Sequence, residues 1–259
     1  MKPNVLVLFT TGTNRDHDAA VALELAGAST VVKPLKQLLQ DDTDWSAYQM
    51  LVIPGGFSYA DALGAGKLLA LDLKHYFSEK IQAFVQSGKP VIGICNGFQA
   101  LVKAGILPET NTGMDNPWAT LTFNKSGHFE CRWVTLKPVS QNCLWTKGLT
   151  KLIDCPVAHG EGNFHVNDLK LLQQIKNNDQ IALIYSFQDG NPANNNYPEN
   201  PNGSVFDIAG VCNKSGNVLG LMPHPEDHIF PFQTPDRANR PGYYGLPLFK
   251  NGVAYAREM

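Results

Sequence analysis

The sequence predicts an α/β protein: a doubly wound, mostly parallel sheet with flanking helices and a small antiparallel hairpin extension. Three observations lead there. Short apolar runs alternate with segments of helical period up to about Ala104, in the order β, α, β, β, α, β, α, and parallel strands need helical crossovers. Residues 118–123 and 129–136 are two aromatic runs of period two, joined by a turn-like stretch at 124–127, which is the pattern of a hairpin. With 259 residues and 43% hydrophobic content the chain holds enough apolar material for a core without staples. It reads as one domain over residues 1–259, with 233–259 as a C-terminal extension.

Taken in order, 5–9 is the first strand, and 10–14 is a loop leading to a helix over 16–25, which Asn14 or Asp16 would cap. Strands follow at 30–33 and 51–53, the latter stopped by Pro54, Gly55 and Gly56. Helical patterns cover 63–77 and 81–85, then a strand at 90–94 and a helix from 96 onward. Beyond the two aromatic runs, strands are expected at 152–157, 181–187, 207–213 and 218–222, the last two flanking a turn that contains Gly216. Residues 188–203, dense in Asn, Pro and Gly, read as a surface loop.

Composition excludes several classes. The formal net charge is −2 and no Lys/Arg cluster is present, so nucleic acid is not an expected partner. The opening MKPNVLVLFT has an apolar run far shorter than a membrane span and no small-residue cleavage site. It reads as a strand, with no membrane attachment. Five scattered cysteines without a Cys-x-x-Cys pair suit a reducing compartment, and a cytoplasmic protein is expected.

Two stretches carry chemistry. In KPVIGICNGFQALVKA (89–104), Cys95 falls at a strand-to-helix turn between Gly93 and Gly97. So sharp a turn tolerates almost no side chain on either side, and the helix N-terminus favours a thiolate. From this stretch alone, a buried cysteine that merely packs remains the alternative. In LGLMPHPEDH (219–228), Pro223 and Pro225 hold His224 and Glu226 on a rigid, non-helical backbone. A thiol nucleophile needs a base and a carboxylate to orient it. The three would meet if both strands end at the carboxyl edge of the sheet. A metal site built on His224 and His228, or on Cys155 and His159, has the right spacing only on a helix, which Pro225 blocks.

GICNGFQ at 93–99 together with MPHPE at 222–226 resembles the class I glutamine amidotransferases, which hydrolyse glutamine with a Cys, His, Glu triad. Within that group, TGTNRDHDAAVALELAGA, PGGFSYADALGAGKLLA, LTFNKSGHFECRWVTL, AHGEGNF and NPNGSVFDIAGVC resemble the glutaminase subunits of phosphoribosylformylglycinamidine synthases. With the GICNGFQ and MPHPE motifs these segments run from Thr11 to Glu226, nearly the whole chain. Arg15 stands where that family more often has cysteine, Ala60 where it has glycine, and Asp227 where it commonly has arginine.

The resemblance implies that Cys95 attacks the glutamine carboxamide, His224 moves the proton and Glu226 orients His224. Backbone N–H groups of Gly56 and Asn96 are then the oxyanion donors, while Gln99, Gly55, Phe57 and Gly160 hold the substrate. It implies no cofactor on this chain, with ATP and magnesium on a partner synthetase and, as a further partner, a small third subunit. The alternatives are an amidotransferase of another pathway and a non-catalytic elbow-cysteine protein, which would lack the His-Pro-Glu pair.

Overall fold

β1 (Asn4–Phe9) is apolar on both faces, with Val5, Leu6, Val7 and Leu8 all buried, as a strand covered by helices on either side must be. The computed structural model of the protein describes residues 1–40, 44–109, 118–235 and 244–259. α1 (Asp16–Leu25) makes the first crossover and buries Ala19, Ala20, Ala22 and Leu23. Its N-cap is Arg15, with no side-chain cap. The expected caps fail because the Asn14 and Arg15 amides are both directed to the Gly55 carbonyl, which fixes the loop before the helix starts. β2 (Ser29–Pro34) follows, then α2 (Leu35–Gln40), which the sequence pattern did not predict, and β3 (Met50–Ile53).

The helix expected over 63–77 starts later. Tyr59, Ala60, Asp61 and Leu63 have φ between 50° and 70°, and Gly64 and Gly66 are left-handed too. A run in that region cannot continue a right-handed helix, so α3 (Lys67–His75) begins only after Gly66, and α4 (Ser78–Gln86) follows it. β4 (Val91–Ile94) is fully buried and leads through Cys95 into α5 (Asn96–Lys103).

The two aromatic runs are strands, but they do not pair with each other. β5 (Ala119–Thr122) joins β8 (Asn163–Val166) in a separate antiparallel pair, while β6 (Glu130–Pro138) enters the main sheet beside β7 (Ile153–His159) and β9 (Ile181–Ser186). Period two marks a half-buried strand without naming its neighbour, so the two-stranded extension exists with a different partner from the one expected. α6 (Leu169–Asn177) lies between β8 and β9, capped by the Asp168 carboxylate on the Lys170 N–H at 2.8 Å. β10 (Ile208–Cys212) and β11 (Val218–Leu221) pair antiparallel across the expected turn.

The main sheet has nine strands among the described residues, in the order β2-β1-β3-β4-β11-β10-β9-β6-β7. The first five are mutually parallel and the rest antiparallel. β4 and β11 therefore lie side by side at the centre and end at the same edge. The loop at 188–203 lies on the surface over most of its length, as expected, and is pinned inward at a few points. Ala193 and Asn202 are fully buried, and the Asp207 carboxylate accepts from the Asn194 and Asn195 N–H groups at 2.6 and 2.8 Å. In the C-terminal segment, α7 (Leu246–Ala256) buries Leu248, Phe249 and Val253 and packs on α1 and on the turn at Pro225–Asp227. No helix among the described residues is long and apolar enough to cross a membrane.

Candidate active site

Cys95 stands at the carboxyl end of β4 with φ 49° and ψ −104°, a conformation that a side chain adopts only under constraint. The constraint is close packing. A Cβ on Gly97 would overlap the Ile53 carbonyl of β3, and one on Gly93 would lie 2.9 Å from the Gly97 carbonyl carbon and oxygen. The helix thus starts pressed against the sheet, which turns the thiol outward from the strand line. The Cys95 Sγ lies 3.7 Å from the Ala158 carbonyl on β7, to which it donates.

β11 ends beside β4, and the chain then runs through Met222 and Pro223 to His224. The His224 N–H donates to the Pro156 carbonyl at 2.8 Å, and Pro225–Asp227 close a single 3-10 turn. That turn brings Glu226 Oε1 to 2.8 Å from His224 Nδ1, with both side chains buried. Gly55 shows where the imidazole and the thiol meet. A Cβ there would lie 2.8 Å from His224 Cε1 and 3.4 Å from Cys95 Cβ. Cys95 and His224 flank that gap, near enough for the cysteine to favour the charged imidazole. Burial disfavours a charged imidazole, but Glu226 and Cys95 outweigh it and hold His224 well above the ordinary histidine range.

Asp227 follows immediately. Burial, aided by Glu226, pushes its carboxyl up to about 6, while His224 and Arg15 act in the opposite direction. Arg15 Nε lies 3.6 Å from Asp227 Oδ2. Two of the three positions that depart from the resembled pattern therefore contact each other. The third, Ala60, lies in the left-handed run with φ 55°, where glycine is the unstrained residue.

The Gly55–Gly56 turn is clamped by the loop after β1. The Phe57 N–H donates to the Gly12 carbonyl at 2.8 Å, and Asn14 and Arg15 donate to Gly55. Gly56 has φ 136° and lines the cavity next to Cys95. With the Phe57 amide already used, the Gly56 N–H and the first amides of α5 are the donors left for an anion in this corner.

The cavity at Cys95 holds about 160 Å³, below the roughly 300–1,000 Å³ of most ligand pockets and suited to a small metabolite. Phe57, Gln99 and Gly160 line it, and Gly55 does not. Gly55 lies beside both Cys95 and the His224 imidazole, where a side chain would crowd them. Gln99 Nε2 donates to the Glu161 carbonyl at 2.7 Å, and its Oε1 accepts from Asn96 Nδ2 at 3.1 Å, so its carboxamide braces the wall it belongs to. A larger groove of about 580 Å³, lined by Arg132, Trp133 and Asp154 among others, contains none of Cys95, His224 or Glu226.

Several wall residues were not anticipated. Asp61, Ala65, Phe123 and Phe129 all line the cavity. Phe57 stacks on Phe129 with ring centroids 6.3 Å apart, and Phe57, Phe123 and Phe129 are 44%, 72% and 52% exposed, an apolar rim at the mouth. His159 is a brace. Its Nδ1 is 3.1 Å from Asn124 Oδ1, and burial followed by the nearby His224 pulls its pKa down to about 3, so it stays neutral. Glu161 pairs with Lys103 at 3.2 Å and accepts from the Ala65 N–H at 3.1 Å. His228 points its Nδ1 at the Asp154 carbonyl and its ring at Trp133, and shares no ligand position with His224.

Comparison with known proteins agrees with this geometry. Residues 2–256 match the model of the CobB/CobQ-like glutamine amidotransferase domain. The chain is 56% identical over 241 residues to phosphoribosylformylglycinamidine synthase subunit PurQ of Treponema denticola, covering 88% of this chain and 89% of that protein. It is 42% identical to the subunit of the same name from Dehalococcoides mccartyi, covering 100% and 99%. Among solved structures, a chain in the structure of PurLQS from Thermotoga maritima superposes with a TM-score of 0.74 at 31% identity, covering 98% of this chain and 99% of that one. A putative GMP synthase protein from Thermoplasma acidophilum, 16% identical with a TM-score of 0.55 and covering 100% of this chain and 96% of that one, shares the fold. The chain belongs to the glutamine amidotransferase family.

Proposed function

We propose that this chain is the glutaminase subunit of a phosphoribosylformylglycinamidine synthase, working in the cytoplasm and supplying ammonia to a synthetase partner in purine biosynthesis. The observation that carries the reading is the buried His224–Glu226 pair, 2.8 Å apart, meeting Cys95 over a residue without a side chain. The relatives of the same name over almost their full length support the choice of pathway.

In this reading His224 takes the thiol proton, and Glu226 stabilises the resulting imidazolium. The Cys95 thiolate attacks the carboxamide carbon of glutamine, and the oxygen that becomes negative is received by the N–H groups of Gly56 and Asn96. Collapse expels ammonia with the proton carried by His224, leaving a γ-glutamyl thioester. Water, deprotonated by His224, then releases glutamate and the free thiol. Every step uses side chains and amides of this chain, so ATP and magnesium belong to the synthetase, which uses them to activate the acceptor. The exposed Phe57, Phe123 and Phe129 at the mouth are the surface offered to that partner.

The test is Cys95→Ala in the assembled enzyme. Glutamine-dependent amination should fall below detection while amination from added ammonium salt persists. Loss of both activities, or survival of the first, would overturn the assignment.

A further inference from the structure

The two proposed oxyanion donors lie on different segments, Gly56 on the turn after β3 and Asn96 at the start of α5, and something must fix their separation. The Asn96 side chain is buried and does not cap its own helix. It reaches across 38 residues of sequence to accept from the Ser58 N–H at 3.2 Å and from the Ser58 hydroxyl. Its Nδ2 gives one hydrogen to Asp61 Oδ1 at 2.9 Å and the other to Gln99 Oε1 at 3.1 Å. A carboxamide has two donor hydrogens and two acceptor lone pairs, and all four are used here.

The backbone is arranged for this. Ser58 is two residues past Gly56, and the left-handed residues Tyr59, Ala60 and Asp61, with φ of 55°, 55° and 50°, curl the chain so that Asp61 returns to the same carboxamide. Such conformations persist only where their surroundings over-determine them. Gln99 then extends the network to the third wall through Glu161.

Resting on the amidotransferase reading above, we propose that the Asn96 side chain is a positioning residue that sets the distance between the Gly56 and Asn96 N–H groups, and so the fit of the oxyanion. It touches neither glutamine nor the reacting atoms. Its effect is therefore on the transition state and not on substrate binding.

The test is Asn96→Asp in the full chain assembled with its synthetase. The substitution keeps size and acceptors but removes both donors and sets a carboxylate against Asp61. Because deleting one oxyanion donor outright costs about 10²–10³-fold, misplacing one should lower kcat for glutamine hydrolysis about 30-fold, with KM within about 3-fold. Alkylation of Cys95 by iodoacetamide, which needs the thiolate but no oxyanion hole, should stay within about 2-fold of wild type. The reciprocal Asn96→Asp/Asp61→Asn pair, which restores a donor facing an acceptor, should recover about 10-fold of the loss. Ser58→Ala, a smaller lesion, should show the same split at about 5-fold.

An unchanged kcat in Asn96→Asp, a parallel fall in alkylation, or no recovery in the reciprocal pair would overturn this inference alone. Hydrolysis that survived Cys95→Ala would overturn the reading of the site and this inference with it.

Discussion

β4 and β11 are adjacent parallel strands that end at the same edge, yet they present their functional residues by opposite means. After β4, room is made by absence: Gly93 and Gly97 let α5 press onto β3, and Cys95 takes a positive φ held by tight packing and by its N–H bond to the Leu221 carbonyl. After β11, Pro223 and Pro225 stiffen the chain, Glu226 is turned back to His224, and the difficulty is charge, with Glu226 and Asp227 adjacent and largely out of water. The first end is limited by space and the second by electrostatics. Steric substitutions should therefore be felt at the cysteine end, and changes of charge or pH at the histidine end.

The largest expected effect breaks the steric side. Gly97→Ala places a methyl on the Ile53 backbone, which has nowhere to go, and should cost about 3 kcal/mol or more in stability. Urea unfolding measures it. Gly160→Ala is the control: its Cβ would lie 3.8 Å from Phe129, an ordinary contact, and the cost should stay within about 0.5 kcal/mol.

On the electrostatic side, Glu226→Gln should lower kcat/KM about 10²-fold or more, because the imidazolium loses its counter-charge while nucleophile and base remain. It should also change the pH dependence of stability. His224 has a folded-state pKa above its ordinary 6.5, so its pairing contributes fully below that ordinary value and is lost as pH rises through the folded-state value. The stability gap between wild type and Glu226→Gln should be widest near pH 6 and close in alkali.

Asp227→Asn is the smallest effect and has the opposite consequence. A carboxyl raised from 3.8 to about 6 contributes stability below 3.8 that is lost as pH rises through about 6. At pH 7.5 the asparagine variant should therefore be the more stable one, by about 1 kcal/mol once solvent screening of the partly exposed carboxyl is counted, with the difference vanishing near pH 4. A loss of stability at pH 7.5 would mean that the Arg15 ion pair dominates at this position.

The strand ends were legible in sequence because glycine and proline write geometry directly into composition. Cys95, His224, Glu226 and the Gly55–Gly56 turn were readable for that reason. What was not readable depends on partners distant in the chain. The periodic runs at 118–123 and 129–136 could not disclose that one would pair with β8 and the other with β7 and β9. Position alone does not show that the Gln99 carboxamide, besides lining the cavity, is bonded to Asn96 and Glu161. α6, by contrast, carries a local signal: Asp168 as N-cap ahead of LKLLQQIKN, with Leu172 and Ile175 on the buried face.

The bond from the His224 N–H to the Pro156 carbonyl has a consequence for self-association. β7 is an outer strand of the main sheet, and an outer strand with free donors and acceptors is a template for adding another chain. At Pro156 there is no N–H to offer, and the carbonyl is already taken by the segment that carries the histidine. At the opposite margin β2 leaves Val31 and Val32 at 38% and 41% exposure, followed by Lys33 and Pro34, a charge and a missing donor. While it waits for its synthetase, the chain is thus guarded against fibrillar pairing with its own copies at both margins, and at one of them the guard is the backbone that positions the proposed base.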